Sequence, residues 1–511
     1  MAYNIIPLFV ILPLAGAFIN SIIGKRIKLS AEVIANLTTL SLVVISVLAL
    51  FNMNKYGTLV YKVGIWKPPL GIAMVADPLS VFMLFIVSFV AFLIMVYSIN
   101  YMQRYTAKWH FYTLFLLMVA GMNGVIITGD IFNLFVFLEI ASIASYALVA
   151  FGTEKEELEA AFKYLVMSAV GSLFILLGIA LIYSYTSTLN MADISIQLME
   201  KGTGNIVLLA VVFFIMGFGL KAALVPFHAW LPDAHPSAPA PISAMLSGVL
   251  IKALGVYTII RIIYNVIGIN AGITNILLVL GALSILAGAL LAMGQWDFKR
   301  LLAYSSISQI GYIILGIGLG TPLGIMGGLF HLFNHSMFKP LLFLDAGSVD
   351  YALGTRDMRL MGGLRDKMPV TAGTSLVASM AISGVPPFNG FFSKLIIIFA
   401  AVQAGHAGYG FLAAFASILT LSYFMAVQKN VFFGKPSAAL VNGESGLAAN
   451  WDKVKEVPLS MKLPVIVLCI VCIFGGLLLI PDISSRFLLP AAEVLSSGRD
   501  YAVSVFKSMG P

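Results

Sequence analysis

The sequence predicts an all-α polytopic membrane protein of about 14 transmembrane helices. Three observations lead there. Hydrophobic residues make up 60% of the 511-residue chain and charged residues only 10%, whereas soluble domains carry about 25% charged residues. Apolar runs of about 20 residues, the length that crosses a bilayer core, recur from one end of the chain to the other. Basic residues gather in alternate connections between those runs. The net charge of +8 therefore reflects topology. The cations are scattered through short loops and form no basic face, which excludes a nucleic-acid partner.

The runs fall at residues 5–23, 31–51, 78–97, 111–127, 131–151, 162–185 and 206–226, then at 241–263, 274–293, 301–319, 323–344, 370–400, 409–433 and 463–480. The first has no basic segment before it and is followed by GKRIK, so it reads as a span and not as a cleaved signal. The twelfth is too long for one straight span and is interrupted by SGVPPFNG. Odd-numbered connections hold about 18 Lys and Arg and even-numbered ones about 5, among them Lys67 and Arg261, which places both termini outside a cell membrane. The second connection, with WKPP from Trp66, reads as an ordered external cover, and the tail from Ser484 as an interfacial amphipathic segment. Cys469 and Cys472 lie inside the last apolar run and read as packing residues.

Four lysines remain at membrane depth: Lys221, Lys252, Lys339 and Lys394. A lysine at the centre of a spanning helix costs ~2.5–3.5 kcal/mol even on a lenient insertion scale, so it faces a bundle interior, a partner or a wet cavity. Lys221 stands beside Gly217, Gly219 and Pro226 in the seventh run, and Lys394 beside Gly384, Pro386, Pro387 and Gly390 in the twelfth. Helices interrupted at matching places in two halves point to a transport site. An offset of five helices is odd, so the halves must be inverted: helices 4–8 and 9–13, with broken helices 7 and 12. The chain divides accordingly into 1–110 (helices 1–3), 111–263 (first five-helix repeat), 271–433 (second, inverted repeat) and 463–511 (helix 14 and tail).

Glu139 sits mid-span in NLFVFLEIASIASYALV. Alone at that depth a carboxylate or an ammonium tends to be neutral; together they favour the charged pair. At ~4 Å and an effective dielectric of ~20 the attraction is about 4 kcal/mol, so separating Glu139 from a lysine would load or release a proton. A pair that never separates would be a structural lock. His331, His335 and Lys339 recur at four-residue spacing in HLFNHSMFKPLLFLDAG and share one helix face, a pattern suited to proton relay. No glutamate follows His331, so the H-E-x-x-H metal motif is absent and no metal site is expected. His228, beyond Pro226, is a further relay candidate or part of a fixed turn. Ser247, Ser305, Ser306, Ser308 and Gln309 could hold water between stations or bond helices together.

GFGLKAALVPFHAWLPDAHPSAPAPISAMLSGVLIKAL from Gly217, DFKRLLAYSSISQIGYI from Asp297, HLFNHSMFKPLLFLDAG from His331 and SGVPPFNGFFSK ending at Lys394 together resemble the antiporter-like subunits shared by respiratory complex I, Mrp-type cation/proton antiporters and membrane-bound hydrogenases. The resemblance covers residues from about Leu79 to Phe433. It implies the inverted five-helix repeat, and it implies roles: Glu139 and Lys221 as the glutamate–lysine pair, Lys252 as the central lysine, and Lys394 as the end of the second half-channel. Some branches carry glutamate at that last position; lysine here resembles the Mrp D-type branch. It also implies membrane subunits as partners, with protons and Na⁺ as candidate ions. With no cofactor motif in this chain, redox chemistry would reside elsewhere in such an assembly. The rival readings are a stand-alone carrier for Na⁺ or a small solute, and a membrane scaffold that transports nothing.

Overall fold

The computed structural model describes residues 2–27, 29–66, 71–442 and 451–509. Lys28, Lys67 and the two prolines after it lie outside these residues, as does part of the connection before the last apolar run. Eleven helices among the described residues are long and apolar enough to cross a membrane. They include α1 (Leu8–Ile23), α2 (Ser30–Tyr56), α3 (Pro78–Tyr101), α4 (Lys108–Ile127), α5 (Ile131–Val149) and α6 (Lys155–Thr186). A short amphipathic helix α7 (Met191–Lys201), which the apolar-run reading did not anticipate, caps the connection to α8 (Asn205–Lys221). The chain then breaks, resumes as α9 (Leu231–Ser237) and continues into α10 (Ala240–Ile267). Next come α11 (Ala271–Met293), α12 (Phe298–Gly318) and α13 (Pro322–Leu353), then the pair α14 (Pro369–Ser383) and α15 (Asn389–Gln403). α16 (Ala407–Val427), α17 (Leu459–Phe474), α18 (Leu488–Ser496) and α19 (Asp500–Met509) complete the chain.

At several helix starts the sequence supplies an acceptor for orphan backbone N–H groups. Asp77, Asp130, Asp297 and Thr321 each accept from the backbone N–H three residues on, opening α3, α5, α12 and α13. In the second connection β1 (Leu59–Lys62) pairs antiparallel with β2 (Ala73–Ala76), while the rest of WKPP after Trp66, read as part of an external cover, lies outside the described residues.

α10 is buried along its whole length and α12 almost so, whereas α2, α6, α16 and α17 turn one face outward. α10 packs against α3, α4, α8 and α13, and α13 in turn against α12, α14, α15 and α17. In lipid, helices approach through small residues because apolar side chains gain little by leaving acyl chains. The α11/α12 contact is of that kind: a Cβ on Gly281 would come within 2.8 Å of the Leu315 backbone N, and one on Gly311 within 2.6 Å of the Gly281 carbonyl. This closeness fixes the face that α12 presents to α13.

Two expectations are corrected. Arg261, counted among loop cations, lies inside α10, 3% exposed, and its guanidinium forks onto Asp77 at 2.6 and 2.7 Å. A loop count assigns a boundary cation to water, but here a buried carboxylate offers a better partner. Much of the tail read as interfacial is wedged into the bundle instead. α18 buries Leu488, Ala491, Ala492 and Leu495 against α3 and α13, and its end is held by Asn265, whose amide donates to the carbonyls of Val494 and Gly498.

Candidate functional site

Lys221 is the last residue of α8, carried inward because Gly217 lets α8 approach Gly171 of α6. Its ammonium donates to Ser168 Oγ at 2.6 Å and Ser142 Oγ at 3.0 Å, and stands 3.6 Å from Glu139 Oε1. Glu139 Oε1 also accepts from Ser172 Oγ at 2.5 Å. The lysine side chain is 2% exposed and the glutamate 28%. The pair is therefore loose, its cation held mainly by hydroxyls and its carboxylate open to one side of the bundle.

The break after Lys221 is not a random kink. Leu224 N–H returns to the Gly219 carbonyl, Val225 N–H donates to Ser284 Oγ, and the Trp230 indole N–H takes the Leu220 carbonyl. Backbone groups freed at membrane depth are thus satisfied within the protein. His228 stands in this break, half-buried, its Nδ1 without a protein partner. It makes no bond to the other candidate residues.

Lys252 is fully buried in α10, where the helix runs in wide π-type turns. Such turns leave carbonyls less committed, and they recur at functional sites. The ammonium takes two of them, Ser247 O at 2.7 Å and Gly248 O at 2.5 Å. Ser247 Oγ lies 2.7 Å from Ser306 Oγ on α12, and the neighbouring Ser305 Oγ is 2.5 Å from the Lys339 ammonium, which also donates to Leu302 O at 2.7 Å. Ser306 Oγ and Ser305 Oγ both donate to the Leu302 carbonyl that Lys339 also uses, so Lys252 and Lys339 are connected through Ser247, Ser306 and Leu302 O.

From Lys339 the polar line follows the facing stripes of α12 and α13. Ser305, Gln309 and Tyr312 recur at helical spacing opposite Lys339, His335 and His331. Both ends of the ladder are observed: Ser305 meets Lys339, and the Tyr312 ring lies 5.5 Å from that of His331. In between, both side-chain polar atoms of Gln309, both ring nitrogens of His335 and Nε2 of His331 are buried without protein partners. Buried polar groups of this density are normally satisfied by ordered water. His331 Nδ1 lies 2.9 Å from Ser393 Oγ, next to Lys394.

Lys394 is placed by the second break. Gly384 ends α14 at φ +79°, a left-handed turn that favours glycine, and the chain re-enters as α15. The Lys394 ammonium donates to the Ile382 carbonyl at 2.8 Å and stands 4.5 Å from the centroid of the Tyr312 ring. Among the described residues no carboxylate ion-pairs with Lys252, Lys339 or Lys394.

Four further ionisable groups were missed by the sequence reading. Arg261 and Asp77 form the buried fork described above. Lys299, assigned to a loop, is 2% exposed and donates to Ala238 O at 2.8 Å. Asp345 on α13 is fully buried. The signal for Arg261 and Asp345 was present, since each has apolar residues on both sides. Lys299 begins a run, and nothing local distinguishes it from a solvated cation.

Fold and site together define a multi-pass helical membrane protein with a chain of ionisable and hydroxyl side chains through its interior. Residues 128–420 match the family described as "NADH:quinone oxidoreductase/Mrp antiporter, TM", and residues 68–112 match the N-terminal segment described for chain 5 of NADH-ubiquinone oxidoreductase, complex I. The chain belongs to this NADH:quinone oxidoreductase/Mrp antiporter family. It is similar to the N subunit of the NADH-quinone oxidoreductase of Desulforudis audaxviator, 39% identical over 82% of this chain and 84% of that one. It is also similar to the D subunit of the Na⁺/H⁺ antiporter of Alkalihalophilus pseudofirmus, 35% identical over 83% and 87%. Among solved structures, a chain of the membrane-bound sulfane sulfur reductase, an archaeal respiratory membrane complex, superposes with a TM-score of 0.88 at 31% identity, covering 98% of this chain and 99% of that one.

Proposed function

We propose that the chain is a proton-translocating, antiporter-like subunit of a multisubunit energy-converting membrane complex, either an Mrp-type cation/proton antiporter or a membrane-bound respiratory relative of complex I. The observation that carries this reading is the polar line from Lys252 through Ser247, Ser306, the Leu302 carbonyl, Lys339 with Ser305, the Gln309–His335 level and His331 to Lys394. Lys221 and Glu139 form a separable pair outside this line, with α8 packed against the turns of α10 that carry Lys252. In this mechanism Glu139 moving toward or away from Lys221 changes the cost of the ammonium there. The proton then passes through Lys252 and Lys339 to the histidines and leaves past Lys394. Water at the unpartnered nitrogens and amides would complete the conduit, with His228 as a candidate at the mouth. Relatives named as subunits of a Na⁺/H⁺ antiporter and of a quinone oxidoreductase support membrane subunits as partners and leave Na⁺ as a second candidate ion.

The finer topology belongs to the same proposal. The eleven long apolar helices become 14 spans when the polar α13 and the broken pairs α8/α9 and α14/α15 are each taken as one. The units 111–263 and 271–433 would then form inverted repeats between 1–110 and 463–511, with both termini outside the plasma membrane. One asymmetry stands against a strict repeat: Lys221 precedes its break and Lys394 follows its own.

Reconstitution into liposomes separates this reading from a stand-alone carrier. Proton movement driven by the intact complex, together with no pH-gradient-driven exchange by the isolated chain, is the expected result. Robust exchange by the isolated chain would overturn the subunit reading.

A further inference from the structure

Asp345 lies off the polar line. It sits six residues beyond Lys339 on α13, on the side of the helix that faces α14 and α17. It is 0% exposed. One carboxyl oxygen accepts from Thr374 Oγ1 of α14 at 2.9 Å, while the other is buried without a protein partner. Among the described residues no cation ion-pairs with it. Among the described residues, the titratable groups found to interact with it are Tyr97 on α3, Cys469 and Cys472 on α17, and Glu456 ahead of α17, none of them a cation. An ionised carboxylate is costly in such a place, because it is fully buried and no counter-ion among the described residues compensates its charge.

A connection to the odd-loop face is built beside it. Thr374 stands one turn from Thr371 at the start of α14, and Thr371 Oγ1 donates to Glu456 Oε1 at 2.7 Å. Glu456 Oε2 accepts the backbone N–H groups of Val370 at 2.9 Å and Thr371 at 3.2 Å, so this half-buried carboxylate is anchored at the helix start. The two threonines share a face of α14, at a spacing that a water molecule can bridge.

We propose that Asp345 is a second, acidic proton-binding site, occupied by a proton at rest and exchanging it with the odd-loop face through Thr374, Thr371 and Glu456. The uptake step is a simple protonation: the proton comes from bulk water by way of Glu456, and the Asp345 carboxylate becomes the neutral acid. This site does not depend on the lysine series conducting.

Infrared difference spectroscopy on the intact complex in light and heavy water tests it. A carbonyl band of a protonated carboxylic acid should be present in the wild type and absent in Asp345→Asn. In Thr374→Val and Glu456→Gln the band should remain, with its deuterium shift developing several-fold more slowly. Lys252→Met should change neither the band nor its exchange, which keeps this result separate from the fate of the lysine series. Should Asp345→Asn fail to assemble, the exchange rates in the other two variants decide. A band that survives Asp345→Asn, or exchange as fast in both Thr374→Val and Glu456→Gln as in the wild type, would overturn the proposal.

Discussion

Two acid–base pairs among the described residues have their cation buried inside the bundle, Arg261–Asp77 and Lys221–Glu139, and they are built differently. Arg261 and Asp77 meet as a bidentate fork at 2.6 and 2.7 Å with both side chains at most 4% exposed. The same guanidinium also reaches Asn265 Oδ1 at 3.0 Å, Ser80 Oγ at 3.2 Å and the Tyr257 hydroxyl, and its carbon stands 5.0 Å from the Tyr501 ring. Nearly every donor is used, and the fork ties α3, α10 and the C-terminal segment together. Lys221 and Glu139 stand 3.6 Å apart in a single contact, with serines able to hold each partner when the other leaves. Charge at membrane depth is thus not in itself a sign of transport. The first pair is a lock, and the second has the geometry of a switch.

The difference can be broken from either side. Asp77→Asn should have the largest effect on stability, since removing one partner of a fully buried pair costs about 3–5 kcal/mol. The expected outcome is a large fall in the thermal unfolding midpoint of the detergent-solubilised complex, with translocation per folded molecule nearly retained. Glu139→Gln should show the reverse pattern: a small change in midpoint and a loss of translocation of about tenfold, equivalent to ~1.4 kcal/mol on the limiting barrier. Equal stability losses in the two variants would erase the distinction. A double-mutant cycle on Glu139→Gln and Lys221→Met sharpens it. Roughly 0.5–3 kcal/mol of coupling is the range for contacting residues, and a loose pair with a partly exposed carboxylate should fall in its lower half when unfolding is measured. The smallest effect is expected for Ser168→Ala, which removes one hydroxyl from Lys221 and is worth about 0.5–1.5 kcal/mol, read as a few-fold slower proton release in vesicles.

What the sequence displayed and what it hid follow from the same physics. Lys221, Lys252, Lys339 and Lys394 were legible because an ammonium inside a lipid-length apolar run is costly enough to demand a reason. The His331–His335–Lys339 stripe was legible because four-residue spacing keeps side chains on one helix face. The breaks beside Lys221 and Lys394 were announced by Gly and Pro. Arg261 was misplaced because counting cations in loops cannot see Asp77, 184 residues away. The link from Lys252 to Lys339 through Ser247, Ser306 and the Leu302 carbonyl and the π-type turns of α10 depend on which faces of α10, α12 and α13 meet, and no local pattern encodes that. Asp345 escaped for a different reason: it lies in the same segment as Lys339, but on the side of the helix away from the stripe that drew attention.

The central claim is that protons pass through the buried line that begins at Lys252. The most direct measurement is proton uptake by vesicles containing the intact complex with Lys252→Met, beside a thermal midpoint for the same preparation. The account expects an assembled complex of near wild-type stability whose proton translocation is lost. Translocation at the wild-type rate in that assembled variant would contradict it.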